Sequence, residues 1–309
     1  MTRNKTGAES TDQVNDVLRQ LVRGRESLLD SIPSIPAILQ PLLRELEQRP
    51  EDIDLRRVAD LISRDESLTA QSLRVANSPL LSRSQATTSV LGAVRTLGIT
   101  KTREMAVSCT IARIGASQKT LDPTVFWEHS LGCAMISRKL ARSVGFENPD
   151  QAYLAGLLHD IGYIVNLILA PQQMQSVLET AARERVFAGM VEESVLGFTH
   201  CQSGELLANK WHFSAEVVEV IRCHHNPKSA VGNPALVMIV ALSDRMCRAA
   251  DLGLGYTETP PDAAVWQSDW DILTQVCPKA SLMTWEDFVR DSDSYVVEIR
   301  DLVARILNV

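Results

Sequence analysis

Aromatic residues make up only 5% of this 309-residue chain, which leaves little of the residue class that strands favour. Long apolar runs are missing too. With no uninterrupted 18-residue apolar stretch, no transmembrane span and no membrane partner are expected. Residues 1–10, MTRNKTGAES, lack the apolar core of a signal peptide, so the compartment expected is the cytoplasm. Positive charge is in deficit: the formal charge of −7 provides no basic stripe of the kind phosphate neutralisation requires, and nucleic acid is not an expected partner. There is no Cys-x-x-Cys. The six cysteines, Cys109, Cys133, Cys201, Cys223, Cys247 and Cys277, are widely separated, mostly inside apolar segments. They read as reduced core thiols rather than as disulfides or a thiolate zinc site.

What the chain does have is 45% hydrophobic content, with Leu, Ala, Val, Arg and Glu recurring at spacings of three and four. That pattern predicts amphipathic helices and an all-α fold. The length allows a substantial core divided into about two domains. A polar break at Gln118 to Pro123 sets the main boundary. The expected organisation is an N-terminal tail and helix over 1–29, a helical lobe over 30–120, a histidine-bearing lobe over 121–250 and a helical extension over 251–309. The two prolines of Ile32-Pro-Ser-Ile-Pro36 delay the next helix to about 37–48. Asp54 is placed to cap a helix through Ile62. Further helices are expected at about 66–77, at 89–97 closing on Gly98, and at 100–114. Beyond the break, helices are predicted at 126–144, 150–170, from Pro171, 190–211, 214–225 and 234–250. Near the end, Thr284 and Asp287 have capping-box spacing.

The histidines cluster between residues 129 and 225. The candidates for chemistry are His129, His159, Asp160, His200, His224, His225 and Asp244, each on or at the end of a predicted helix. Imidazole with carboxylate suits borderline and hard divalent ions, and a site open to water can activate that water. Neighbouring helical residues point about 100° apart, so His159 and Asp160 converge only if the helix ends or bends there; Gly162 permits that. Blander roles stay open. His129 would serve as a hydrogen-bonded core residue, His200 as a helix cap and Asp244 as the partner of an arginine. His212, beside Trp211, receives no role.

The order His129, His159-Asp160, Asp244 resembles the H…HD…D signature of the HD metal-dependent phosphohydrolase superfamily. The segments from His200 to Trp211 and Ile221-Arg-Cys-His224-His225-Asn-Pro227 resemble, more narrowly, the HDOD branch. So do Ile32–Pro36, Ile62-Ser-Arg-Asp65-Glu-Ser-Leu68, Leu73-Arg-Val-Ala-Asn77-Ser78-Pro79 and Ala93-Val-Arg-Thr-Leu-Gly98. The resemblance implies a two-lobed all-α module associated with bacterial signalling. It further implies that His129, His159, Asp160 and Asp244 hold a first divalent ion (Fe, Mn, Zn, Ni or Mg). His200, His224 and His225 would hold a second, with Asp160 bridging the pair.

Two departures bear on activity. The related cyclic di-GMP phosphodiesterases carry HDIGK, whose lysine meets phosphate, where this chain has His159-Asp160-Ile-Gly-Tyr163; and Asn226-Pro227-Lys228 follows the double histidine in place of G-Y-P. A tyrosine hydroxyl cannot supply the charge that phosphoryl transfer requires. The expectation is therefore a non-catalytic regulatory module that binds a metal or a nucleotide-like small effector and meets a protein partner. The alternative is a phosphohydrolase acting on a nucleotide or cyclic dinucleotide, with Asp160 as its catalytic residue.

Overall fold

The computed structural model describes residues 41–42, 45, 52–77, 87–115, 121–259, 262–290 and 295–301, and among them there is no strand. The expected helix over 14–29 and the proline segment at 32–36 lie outside the described residues. Of the helix expected over 37–48, residues 41, 42 and 45 are described and helical. The chain divides into two compact units, one within Gln118–Val296 and one within Ser34–Ser117 and Val297–Val309.

In the smaller unit, helix α1 (Leu55–Ile62) begins where the Asp54 carboxylate accepts the Arg56 amide at 2.8 Å, and α2 (Glu66–Ala76) where Asp65 accepts the Leu68 amide at 3.0 Å. Each cap satisfies a backbone donor that the helix itself leaves free. Helix α3 (Val90–Gly115) is interrupted at Gly98, whose φ of 73° is open to glycine at little cost. The Asn77 side chain joins α2 to the entry of α3 by donating to the Thr87 carbonyl at 2.8 Å and accepting the Thr87 amide at 2.7 Å. Val58, Ile62, Leu68, Val94 and Leu97 form the core, each contributing about 1.5–3 kcal/mol by leaving water.

The larger unit is built on α4 (Pro123–Ser143), α5 (Pro149–Leu158), α6 (Ile161–Leu169), α7 (Pro171–Glu184), α8 (Ala188–Val195), α9 (His200–Lys210), α10 (Ala215–Cys223) and α11 (Pro234–Ala249). Helix α4 packs on α5 and α11, and α9 packs on α6 and α10. Residues 251–290, expected as a separate extension, fall in this same unit. They contribute α12 (Ala263–Val276) and α13 (Trp285–Arg290), joined by stacking of Trp266 on Trp285 with ring centroids 4.5 Å apart. The capping box forms: Asp287 donates its amide to Thr284 Oγ1 at 3.2 Å and accepts the Thr284 amide at 3.3 Å.

Two single helices expected from periodicity are each broken. The one over 150–170 stops at Leu158 and resumes at Ile161, with Asp160 at φ −101°, ψ 14°. The one over 190–211 stops at Val195; Gly197, at φ 83°, reverses the chain, and extended Thr199 starts α9. Periodicity missed both because apolar spacing continues across each break while one or two residues turn the backbone. Pro149–Leu169 has the length and mean hydropathy of a membrane span, 1.5, but 83% of that window is buried within the protein and the His159-Asp160 break divides it.

Candidate metal centre

The break at residues 159–160 is what positions the site. His159 closes α5 and Asp160 opens α6, so two side chains that a continuous helix would splay apart face the same interior. Gly162 lets α6 lie against α9. A Cβ there would overlap the His200 carbonyl and stand 2.8 Å from the Gly204 nitrogen, so glycine is the residue this crossing admits.

The seven residues singled out from the sequence come together as two groups of donors. In the first, His129 Nε2 lies 3.2 Å from His159 Nε2, 3.1 Å from Asp160 Oδ2 and 3.4 Å from Asp244 Oδ1. His159 Nε2 is 3.3 Å from Asp160 Oδ2 and 3.9 Å from Asp244 Oδ1. In the second, His200 Nε2 lies 3.4 Å from His224 Nε2 and 3.1 Å from His225 Nε2, and Asp160 Oδ1 is 3.3 Å from both His200 and His224. Asp160 thus gives one oxygen to each group. His225 also places Nδ1 3.6 Å from Asp244 Oδ2. His212 stands apart from both groups; it ends α9 in a left-handed conformation, φ 56°.

The outward nitrogens fix which face of each ring turns inward. His129 Nδ1 donates to the Leu252 carbonyl at 2.7 Å, His159 Nδ1 to the Gly156 carbonyl at 2.7 Å, and His224 Nδ1 to the Ile221 carbonyl at 3.0 Å. His200 Nδ1 donates to Glu192 Oε2 at 2.7 Å. That carboxylate also accepts the His200 amide at 2.8 Å, while its other oxygen accepts Asn166 Nδ2 at 3.0 Å. With the proton on Nδ1, each Nε2 presents a lone pair to the other Nε2 atoms and to carboxylate oxygens. Such a gathering is repulsive unless positive charge lies among the donors, and an Nδ1–H held by a carbonyl or carboxylate is the arrangement that metal-binding imidazoles adopt. Asp160 Oδ1 is buried without a hydrogen-bond partner, although two imidazole nitrogens stand 3.3 Å from it. The donor set fits a pair of divalent ions.

Without an ion, the buried carboxylates draw protons onto some of these imidazoles in its place. Burial opposes charge on His129, yet Asp160 and Asp244 outweigh it and push its pKa up to about 10. Burial likewise opposes charge on His224, and Cys201 with Asp160 raises it to about 10. His159 is held below its ordinary value by burial, and His225 well below by burial and the neighbouring His224. Both carboxylates stay ionised despite burial: the histidines hold Asp160 well below the usual range, and Arg248 with His129 does the same for Asp244.

Tyr163 and several groups that the sequence did not single out complete the site. Arg248, four residues beyond Asp244, grips that carboxylate through Nε at 3.0 Å and a terminal nitrogen at 2.9 Å, and also reaches Glu258 at 2.9 Å. Phe187 lies under the Arg248 guanidinium at 4.5 Å and over the His225 ring at 4.2 Å. Tyr163 stacks on His200, centroids 4.2 Å apart, with its hydroxyl buried and unpartnered. Cys201, expected to be a core thiol, is instead half-buried beside the second group, with Sγ 3.6 Å from His200 Nε2. Burial would raise its thiol, but His200 and His224 bring it down to about 6. The remaining five cysteines are buried and in no disulfide.

Residues 32–227 match the family model of the HDOD domain. The chain belongs to the HDOD family. An HDOD domain protein of unknown function from Geobacter sulfurreducens is 28% identical, covers 96% of this chain and 98% of its own, and superposes with a TM-score of 0.78. A candidate signal transduction protein from Marinobacter aquaeolei shares the fold at 20% identity and a TM-score of 0.74, over 95% of this chain and 66% of that one. A candidate phosphohydrolase from Shewanella amazonensis does so at 22% identity and 0.69, over 94% and 97%. Among curated proteins, an uncharacterised Treponema pallidum protein is 26% identical over 239 residues, 75% of this chain; the chain spans about half of that relative, 45%.

Proposed function

We propose that this HDOD protein is a regulatory signalling module whose larger unit holds a pair of divalent ions without turning over a substrate, and whose metal-loaded state is read by a protein partner. The observation that carries this reading is the seal on the donors. His129, His159, Asp160, His200, His224 and Asp244 are all buried, and of the seven only His225 reaches solvent, at 20% of its side chain. A phosphoester would have to displace protein to reach them. Cationic help is committed elsewhere: Tyr163, standing where the phosphodiesterases have lysine, spends its ring on His200, and Arg248 spends its guanidinium on Asp244 and Glu258. Phosphoryl transfer depends on positive charge aimed at the transferring group.

A phosphohydrolase is the second reading, favoured by the division of the Asp160 oxygens between two donor groups, since two-ion centres serve displacement at phosphorus. In that case ions held by these residues would supply Lewis acidity, while the histidines and Asp160 would position them. To separate the readings, the protein is loaded anaerobically with Mn²⁺ or Fe²⁺ and offered nucleotides and cyclic dinucleotides. The expected result is tight metal binding with hydrolysis no faster than that of a His159→Ala, Asp160→Ala double variant. Turnover on the order of 1 s⁻¹ or faster would establish the enzyme instead.

A further inference from the structure

We infer that Cys201 is a ligand of the second ion position, making it a mixed imidazole, carboxylate and thiolate site that prefers zinc, iron(II) or cobalt(II) over magnesium or manganese. The inference rests on the reading of the donor set as an ion-binding centre and adds to it the class of ion that one half would select. Its basis is the spacing of donors. One donor atom from each of His200, Cys201, His224 and His225 lies within 4.8 Å of all the others. A tetrahedral ion with nitrogen at about 2.0 Å and sulfur at about 2.3 Å sets nitrogen and sulfur about 3.5 Å apart and two nitrogens about 3.3 Å apart. The structure has Sγ of Cys201 3.6 Å from His200 Nε2, and nitrogen pairs at 3.4 and 3.1 Å.

A second observation points to the same place independently of the thiol. Asp160 Oδ1, buried and without a hydrogen-bond partner, faces Nε2 of His200 and of His224 at 3.3 Å, so an unsatisfied anionic oxygen and the sulfur converge on His200 Nε2, the sulfur also lying 4.0 Å from His224 Nδ1. Cys133, by contrast, has its sulfur 3.9 Å from Ser137 Oγ and from the Val240 carbonyl, and is in neither donor group. Sulfur is the soft member of an otherwise hard and borderline set, and soft ligands are what discriminate zinc and iron from magnesium and manganese. The sulfur would donate as thiolate, any proton still on it passing to solvent.

The test uses the full-length chain stripped of metal and titrated anaerobically with Co²⁺. A thiolate-to-cobalt charge-transfer absorption in the near ultraviolet is expected with one of the bound equivalents. Cys201→Ser should abolish that absorption and weaken the same equivalent at least about tenfold, while Cys133→Ala leaves both unchanged. Bound cobalt without the absorption, or an absorption that survives Cys201→Ser, overturns the thiolate assignment and leaves the metal centre standing. Failure to bind cobalt at all overturns the metal centre itself. X-ray absorption on zinc-loaded wild type needs no variant: one sulfur neighbour is expected, and a shell of only nitrogen and oxygen rejects the inference.

Discussion

The two donor groups share Asp160 but are held by different means. The first is braced by main chain, with the Leu252 and Gly156 carbonyls behind its histidines and Arg248 clamped across Asp244. The second is braced by main chain only at His224, through the Ile221 carbonyl; His200 is held by a side chain, Glu192, and at the edge of the group lie a half-buried thiol and the partly exposed His225. Backbone support is insensitive to substitution, whereas a carboxylate can be changed by one mutation.

Substitution of the shared residue should erase the contrast altogether. Asp160→Ala is expected to lower affinity at both positions by more than about 100-fold, since loss of a ligand exceeds the 10–100-fold typical of an outer partner; isothermal titration with Zn²⁺ would measure it. Gly162→Ala should come next and act on folding, because its Cβ overlaps the His200 carbonyl. The cost is expected to be about 3 kcal/mol or more, read as a lowered denaturant midpoint. Glu192→Gln should split the two groups. We expect a 10–100-fold loss at the second position only, with the first unchanged by stoichiometric titration; equal losses at both would show that the groups are one unit.

The smallest effect is expected at Glu219, whose carboxylate gathers the amides of Val231, Gly232 and Asn233 at 2.7–2.8 Å and so ties α10, just before His224, to the start of α11, which carries Asp244. Burial opposes its ionisation, but these amides win and hold its pKa below the ordinary value. A group lowered on folding stabilises fully above its unfolded pKa, about 4.3, and loses that contribution as pH falls through the lower folded value. Glu219→Gln should cost about 1–3 kcal/mol at neutral pH, and the difference from wild type should shrink in acid, as followed by urea unfolding at a series of pH values.

How much of this was legible in the sequence depended on whether the relevant group was a side chain within a repeating pattern. Helix existence, the Asp54 cap and the Thr284–Asp287 box were legible, because capping residues sit at fixed offsets from apolar repeats. So was the gathering of His129, the His159-Asp160 pair, His200, the double histidine and Asp244 as candidates. The Leu252 carbonyl was not, since a backbone acceptor leaves no residue-type signal, and Glu192 was hidden because its tie to His200 spans a helix break that periodicity does not register. Arg248 offered a signal that went unused, its four-residue offset from Asp244 being the spacing of a helical ion pair. Cys201 carries no paired-cysteine signal, since its partner is the adjacent histidine.

The donors are also far apart along the chain: 123 residues separate His129 from the Leu252 carbonyl that orients it. No cysteine is in a disulfide, so no covalent staple closes such a loop, and bound ions would act as the cross-links of this fold. At free metal 1,000 times its dissociation constant, linkage adds about 4 kcal/mol to stability. A chelator would then act on this protein much as a reductant acts on a disulfide-bonded one, making metal supply a determinant of how long each copy survives.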